Sequence, residues 1–408
     1  MKRIIVATAS LCIASSAFAG GYRVSLQGQK ALGMGHAGAA MSESAETVFF
    51  NPAGMTHLES EMELIAGITL IDGQTVYQNE TTGDSSETNS PIGTPINVYL
   101  AKKHNDNLSY GLGVYTPYGN SVEWEKDWVG SHLVNDIELK TVYFQPTIAY
   151  QINDQYSIGF GPTLVTGLVE YNSNLTSTLV DNNGDRANVT LSASSVTGTG
   201  FNVGFLAKPS DKLSIGITYR SEITLEARNE EADFENIPSS LSAAYPDSTF
   251  DADLVLPAEL TIGLAYNLSD DTVLAFDINR AYWSGYENLD IQFHNSIGLS
   301  EKPRNYNDAT ILRIGVQHKL NDTLIIRGGL YSDESPVPDG FVTPETARND
   351  NIGFTAGATY TMSDSLEIDV SFLYLKFTEF DGTYDSASFG GSYNSAATSI
   401  GAGFNYKF

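Results

Sequence analysis

The chain has almost no cysteine: Cys12 is the single one in 408 residues. It is equally poor in basic residues, with 22 Lys+Arg against 49 Asp+Glu and a formal net charge of −27. That balance excludes nucleic acid as a partner, because binding a phosphate backbone needs clustered cations. Past residue 19 there is no run of roughly 18 apolar residues, so membrane-spanning helices are excluded. There are only six histidines. His104 and His318 lie beside short polar turns, His36 and His57 fall in the N-terminal segment, and His132 and His294 stand alone in long connections. None forms the His–Asp/Ser grouping that hydrolytic chemistry requires. The segment Asp181-Asn182-Asn183-Gly184-Asp185 imitates part of a calcium loop, but Ala187 and Ser192 stand where that motif needs ligands. The composition therefore implies no enzyme, no metal and no cofactor.

What the chain does have is Gly 37, Tyr 22 and an aromatic content of 11%, too aromatic for disorder. Residues 1–19 read as a secretory signal: Lys2 and Arg3, an apolar stretch, then Ala17-Phe18-Ala19. Lys2 and Arg3 are its only charges, so its removal leaves 20 bases against 49 acids and no cysteine. Six polar turns then recur, each with Asp second: Asn105-Asp106, Asn153-Asp154, Ser210-Asp211, Ser269-Asp270, Asn321-Asp322 and Ser363-Asp364. Around them the sequence alternates with period two. Leu213, Ile215, Ile217 and Tyr219 share one face, and Ser214, Gly216, Thr218 and Arg220 the other, which is the pattern of an amphipathic strand.

Six turns join twelve strands; one strand precedes them and one follows. The predicted fold is all-β, a 14-stranded antiparallel transmembrane β-barrel over 61–408, in the outer membrane of a Gram-negative bacterium. The short turns face the periplasm. Long connections near 73–94, 117–136, 171–195, 229–252, 282–306, 332–350 and 378–395 face outside and carry much of the acidic charge. Tyr150, Tyr156, Tyr219, Tyr266, Tyr360, Tyr406 and Phe408 form an interfacial girdle. An inward face that holds Arg220, Asp277, Arg313, Arg327, Glu367 and Asp369 predicts ion pairing within the lumen. Residues 20–60 do not alternate. They are small and weakly helical, and read as a plug inside the barrel. The Gly33, Gly35, Gly38 spacing matches a dinucleotide fingerprint but lacks its strand and βαβ context, and reads as close packing.

Ala37-Gly38-Ala39-Ala40 followed by Phe50-Asn51-Pro52-Ala53-Gly54-Met55 resembles the N-terminal hatch of the FadL family. These are outer-membrane transporters of long-chain fatty acids and aromatic hydrocarbons. Tyr115-Thr116-Pro117-Tyr118-Gly119, Asp127-Trp128-Val129-Gly130, Tyr219-Arg220-Ser221, Leu256-Pro257-Ala258 and Ser335-Pro336-Val337-Pro338-Asp339 match it in order. The resemblance implies passive uptake of a hydrophobic small molecule: capture by loops, a lumen pocket, movement of the hatch and lateral exit near strand 3. Gate residues on this view are Gly20, Gly21, Tyr22, Val24, Asn51, Pro52, Ala53 and Gly54. The lateral opening falls to Gly111, Gly113 and Pro117, and Arg220, Arg327 and Arg313 are candidates for a substrate carboxylate. Expected partners are the substrate, outer-membrane lipid and lipopolysaccharide, and the barrel-assembly machinery through Phe408, with a monomeric barrel. A hydrophilic porin or a surface-adhesion barrel with the same shell is the alternative, an outer-membrane lipase or protease less so.

Overall fold

The computed structural model describes residues 21–125, 127–176 and 178–408. The expected secretory signal, residues 1–19, and Gly20 lie outside the described residues. Fourteen antiparallel strands close into a barrel. They are β1 (Met62–Gln78), β2 (Ile96–Lys103), β3 (Leu108–Tyr115, resuming as Gly119–Glu123), β4 (Asp136–Gln151) and β5 (Tyr156–Asn174). Then come β6 (Asn188–Ser210), β7 (Leu213–Arg220 and Ile223–Glu235), β8 (Ser248–Leu256 and Ala258–Ser269) and β9 (Thr272–Tyr282). The wall is completed by β10 (Ala309–Asn321), β11 (Leu324–Asp333), β12 (Asn351–Ser363), β13 (Leu366–Phe377) and β14 (Phe389–Lys407). Pairing of β1 with β14, from Glu63↔Lys407 to Gln78↔Ser392, joins the two ends of the sheet. Closure is obligatory in a bilayer, since each unpaired backbone group in hydrocarbon costs several kcal/mol.

All six polar turns fall at one end of the barrel, as their chemistry predicts. Asn105 Oδ1 accepts from the amides of Asn107 and Leu108, and Asn153 Oδ1 from those of Gln155 and Tyr156. Outward residues within reach of those turns form the lipid-facing belt; Ile217, Ile262, Ile314 and Phe372 are all exposed. The aromatics of the expected girdle, from Tyr150 to Phe408, are exposed with them. At the other end the strands run well beyond the ~9–11 residues that cross a bilayer. β6 alone is 23 residues long. Several expected loops are thus mostly hairpin: β5 and β6 stay paired to Asn174↔Asn188. Acidic residues do not oppose this, because water screens charge there while the hairpin ladder still pairs backbone groups. The calcium-like segment is an Asx turn in which Asp181 Oδ1 accepts from the amides of Asn183 and Asp185.

Residues 21–58 lie inside the barrel, and nearly all of them are buried. The segment contains α1 (Gln29–Leu32), α2 (Thr47–Phe50) and a 3₁₀ turn at Pro52–His57. It touches the wall through inward glycines on many strands. A Cβ at Gly111 would overlap Met55, at Gly159 Pro52, at Gly216 Ala39, at Gly315 Met34 and at Gly329 Gly35. The Gly33-x-Gly35 pair uses the same device from the inside, with Gly33 against Gly357.

Candidate functional site

The N-terminal segment is fixed in the lumen by buried polar contacts. The Glu46 carboxylate accepts from the amides of Lys30 and Ala31 at 3.0 Å each, satisfying the free N–H groups that open α1. Asp277 on β9 accepts from Gly38 N and Ala39 N at 2.9 and 3.0 Å. Asn51, fully buried, receives Ala53 N on its oxygen and donates its amide to the carbonyls of Ala39 and Phe205. Pro52 then fixes the backbone at the start of the 3₁₀ turn. Ala53 O accepts from Ser157 on β5, and Gly54 packs against Thr47. At the periplasmic end Lys30 pairs with Glu367 at 2.6 Å, and Lys407 holds the other oxygen of the same carboxylate.

A second group of contacts fixes the first described residues. β3 is interrupted at Thr116, Pro117 and Tyr118: Tyr115 pairs with Tyr143 and Gly119 with Lys140, so three residues oppose two. Such a bulge redirects backbone groups out of the ladder. They turn inward. Val24 N donates to Pro117 O at 2.8 Å and Gly119 N to Tyr22 O at 2.9 Å. Arg23, between them, donates to Asp333 at 2.8 Å and Asn279 at 2.8 Å and lies 3.6 Å from Glu259. Tyr118 donates its hydroxyl to that same Glu259 at 2.8 Å. Residues 22–24 are thereby stitched to the interrupted wall on one side and to β8, β9 and β11 on the other.

Tyr22 also forms the floor of an apolar cavity on the extracellular side. The cavity holds about 680 Å³ of space including its mouth. Its walls are inward side chains of β4 to β8, such as Leu139, Val169, Leu191, Leu225 and Phe250, with Leu289 and Ile291 descending from the β9–β10 connection. Lys302 is the only cation among the lining residues. Its ammonium donates to the Tyr171 hydroxyl at 3.3 Å and sits 4.5 Å above that ring. Burial, reinforced by neighbouring Arg304 and opposed by Glu345, pulls its pKa from the usual lysine value down to about 8. Arg304 is itself occupied by Glu345 at 2.8 Å. The carbonyl of Glu345 accepts from Asn120 just past the β3 interruption, at 2.9 Å. Beside the floor, Tyr22 meets Tyr286 edge-on at 6.3 Å.

The expected site residues divide accordingly. Tyr22 lines the apolar cavity, whereas Val24 lines a separate polar one with Arg23, His36 and Asp277. Gly21, at φ 70, gives Trp283 room that a Cβ would take. Pro117 lies in the wall interruption. Gly111 and Gly113 do not: they sit within the regular part of β3 and make space for Met55 and Val48. The three candidate arginines are not lining residues of the apolar cavity. Arg220 stacks on Phe49, 3.7 Å from the ring centroid, and donates to the Phe49 carbonyl. Arg327 donates to Gln317 and Thr359, and Arg313 sits opposite Asp277 in the ladder. Sequence reasoning missed Arg23 and Lys302. Lys302 and Arg304, two cations flanking Pro303 within acidic connections, were the available indication of the second.

A family model described as "Outer membrane protein transport protein (OMPP1/FadL/TodX)" matches residues 10–408. The chain is similar to the long-chain fatty acid transport protein of Escherichia coli O6:H1, with 23% identity over 99% of this chain and 98% of that one. Among solved structures it resembles a FadL homologue of Pseudomonas aeruginosa, with a TM-score of 0.81 and 19% identity over 95% of this chain and all of that one. It also resembles the toluene transporter TodX of Pseudomonas putida, with a TM-score of 0.72 and 17% identity over 93% and 97%.

Proposed function

Because the chain belongs to the OMPP1/FadL/TodX family of outer membrane transport proteins, we propose that it passes one class of cargo, hydrophobic molecules with an apolar body, inward without energy input. The observation that carries this reading is the shared position of Tyr22: it is at once the floor of the apolar cavity and part of the strand stitched to the β3 interruption. A ligand entering the cavity gains ~25 cal/mol for each Å² it removes from water. Contact with Tyr22 spends part of that gain on displacing residues 22–24. Their release frees the backbone of Pro117 to Gly119 and opens a lateral way out beside β3. Lateral exit also suits the tight fit of 21–58 against wall glycines, which favours a small local rearrangement over expulsion of the whole segment.

Lys302 makes the cavity able to hold a carboxylate at one end, and the E. coli relative is named for long-chain fatty acids. A carboxylate favours the charged ammonium. Oleate affinity is therefore expected to be full below pH 8 and to fall as pH rises past the lysine's pKa. Lys302→Met is expected to weaken oleate at least tenfold, since a hydrogen bond to a charged group contributes about 1.5–3 kcal/mol, and to abolish that pH dependence. The methyl ester should bind both proteins alike; equal oleate titrations for the two proteins would place the carboxylate elsewhere. The transport reading is tested by uptake of radiolabelled oleate and toluene into cells that lack their own carrier. Equal uptake of both with and without the gene would remove it.

A further inference from the structure

The wall has a second weak line, between β6 and β7. Pairing there is continuous from Ala207↔Ile215 to Asn202↔Arg220. It then nearly ceases: before Ser192↔Glu231 the described residues share only the pair Thr197↔Glu226 and one main-chain hydrogen bond, between Ser221 and Phe201. Two irregularities cause this. In β7 the pair Ser221-Glu222 inserts an extra residue, so that Arg220 and Ile223 both face the lumen. In β6 Ser194 and Ser195 bulge against β5, where Gly167 pairs with Val196 but Val169 with Ala193. Two side-chain contacts and one main-chain bond replace part of the missing ladder. Phe201 N donates to Ser221 Oγ and Ser221 N to Phe201 O, each at 3.0 Å, while Ser194 N donates to the Glu230 carboxylate at 3.0 Å.

Cavities border this seam from within. Leu191, Ala193 and Val196 on β6 and Leu225 and Ala227 on β7 belong to the apolar cavity above Tyr22. A smaller cavity lower down runs from Tyr115 and Tyr143 to Phe201, Ser221 and Ile223. Phe201 is itself outward-facing and exposed, as is Tyr219 beside it. Above them the outward residues become Thr197, Thr199, Glu222 and Glu226, so the seam lies at the outer rim of the lipid belt. That is the depth at which a broken ladder can persist, because water reaches backbone groups that hydrocarbon would leave unsatisfied.

We infer that the β6–β7 seam is a second lateral port, through which a slender apolar molecule moves between the apolar cavity and the outer-leaflet edge of the membrane. The inference rests on the reading that this cavity binds such molecules. Gly198 and Gly200 keep the inner mouth of the port thin: a Cβ on either would overlap Ile223. Ile223 is the side chain whose rotation opens it.

A reversible staple tests the port. Residues 20–408 contain no cysteine, and directly opposed residues of an antiparallel pair have the spacing a disulfide needs. Thr197→Cys with Glu226→Cys closes the middle of the seam. Val203→Cys with Tyr219→Cys, a fully laddered pair on the same strands, is the control. The readout is the association rate of cis-parinarate, a fluorescent polyene fatty acid, with the protein in lipid nanodiscs, beside its equilibrium affinity. Gating by the seam predicts association roughly threefold slower or more in the oxidised seam staple, at unchanged affinity, restored by reductant and absent from the control. Unchanged rates with intact affinity would overturn the port and leave the cavity reading standing. Absence of parinarate binding to the unstapled protein would overturn both.

Discussion

Deleting residues 21–58 is expected to turn a barrel of negligible ionic conductance into an open channel of porin-like conductance in planar bilayers. The barrel does not need the segment for closure, since the β1–β14 ladder runs sixteen paired positions, from Glu63↔Lys407 to Gln78↔Ser392. Fourteen strands lie between the eight whose side chains fill the interior and the 16–18 of water-filled porins. The segment occupies what would otherwise be lumen, and the glycines facing it offer no side chains to refill the space. Wall charges such as Asp277, Arg327 and Asp369 would exchange their buried surroundings for water, which solvates them well. A truncated protein that inserts as a heat-modifiable barrel yet conducts no more than the intact one would show that the segment is not the obstruction.

The second large effect is expected at Arg23. Arg23→Ala removes the cation between Asp333 and Glu259 and leaves a buried and a partly buried carboxylate without it. Losing one partner of a buried ion pair costs about 3–5 kcal/mol. The two backbone hydrogen bonds from residues 22–24 to the β3 interruption contribute only about 1 kcal/mol each. The balance therefore tips toward release of the strand. Ser25→Cys is expected to react slowly with a maleimide in the otherwise native protein and rapidly beside Arg23→Ala. Arg23→Lys, which keeps the charge but loses the planar fork, should fall between them. Slow labelling in all three proteins would mean that the strand is held by something other than this arginine.

The wall was legible residue by residue. In the stretch Leu213 to Arg220, neighbouring residues point to opposite faces whatever the rest of the chain does, so the lipid belt and the inward position of Arg220, Arg313 and Arg327 follow from period two alone. The Asn/Ser-Asp turns were equally local, because Asn105 and Asn153 bond amides two and three residues ahead. The loops were less so. Nothing local distinguishes an acidic hairpin that stays paired, such as the outer ends of β5 and β6, from one that frays.

What the sequence by itself determined, then, was a fourteen-stranded shell, the short turns gathered at one end of it and a small-residue segment suited to its lumen. Only the tertiary structure decided where that shell is interrupted and what lines its cavities. Gly111 and Gly113 proved to accommodate Met55 and Val48, while the wall breaks three residues past Gly113, at Thr116 to Tyr118. Arg220, inward as expected, is taken up by Phe49, and the cation at the apolar cavity is Lys302. Arg23 meets Asp333, 310 residues away in sequence. The physical reason is that a strand's face is set by its own backbone, whereas a cavity is set by side chains from many strands whose order and stagger no local pattern records.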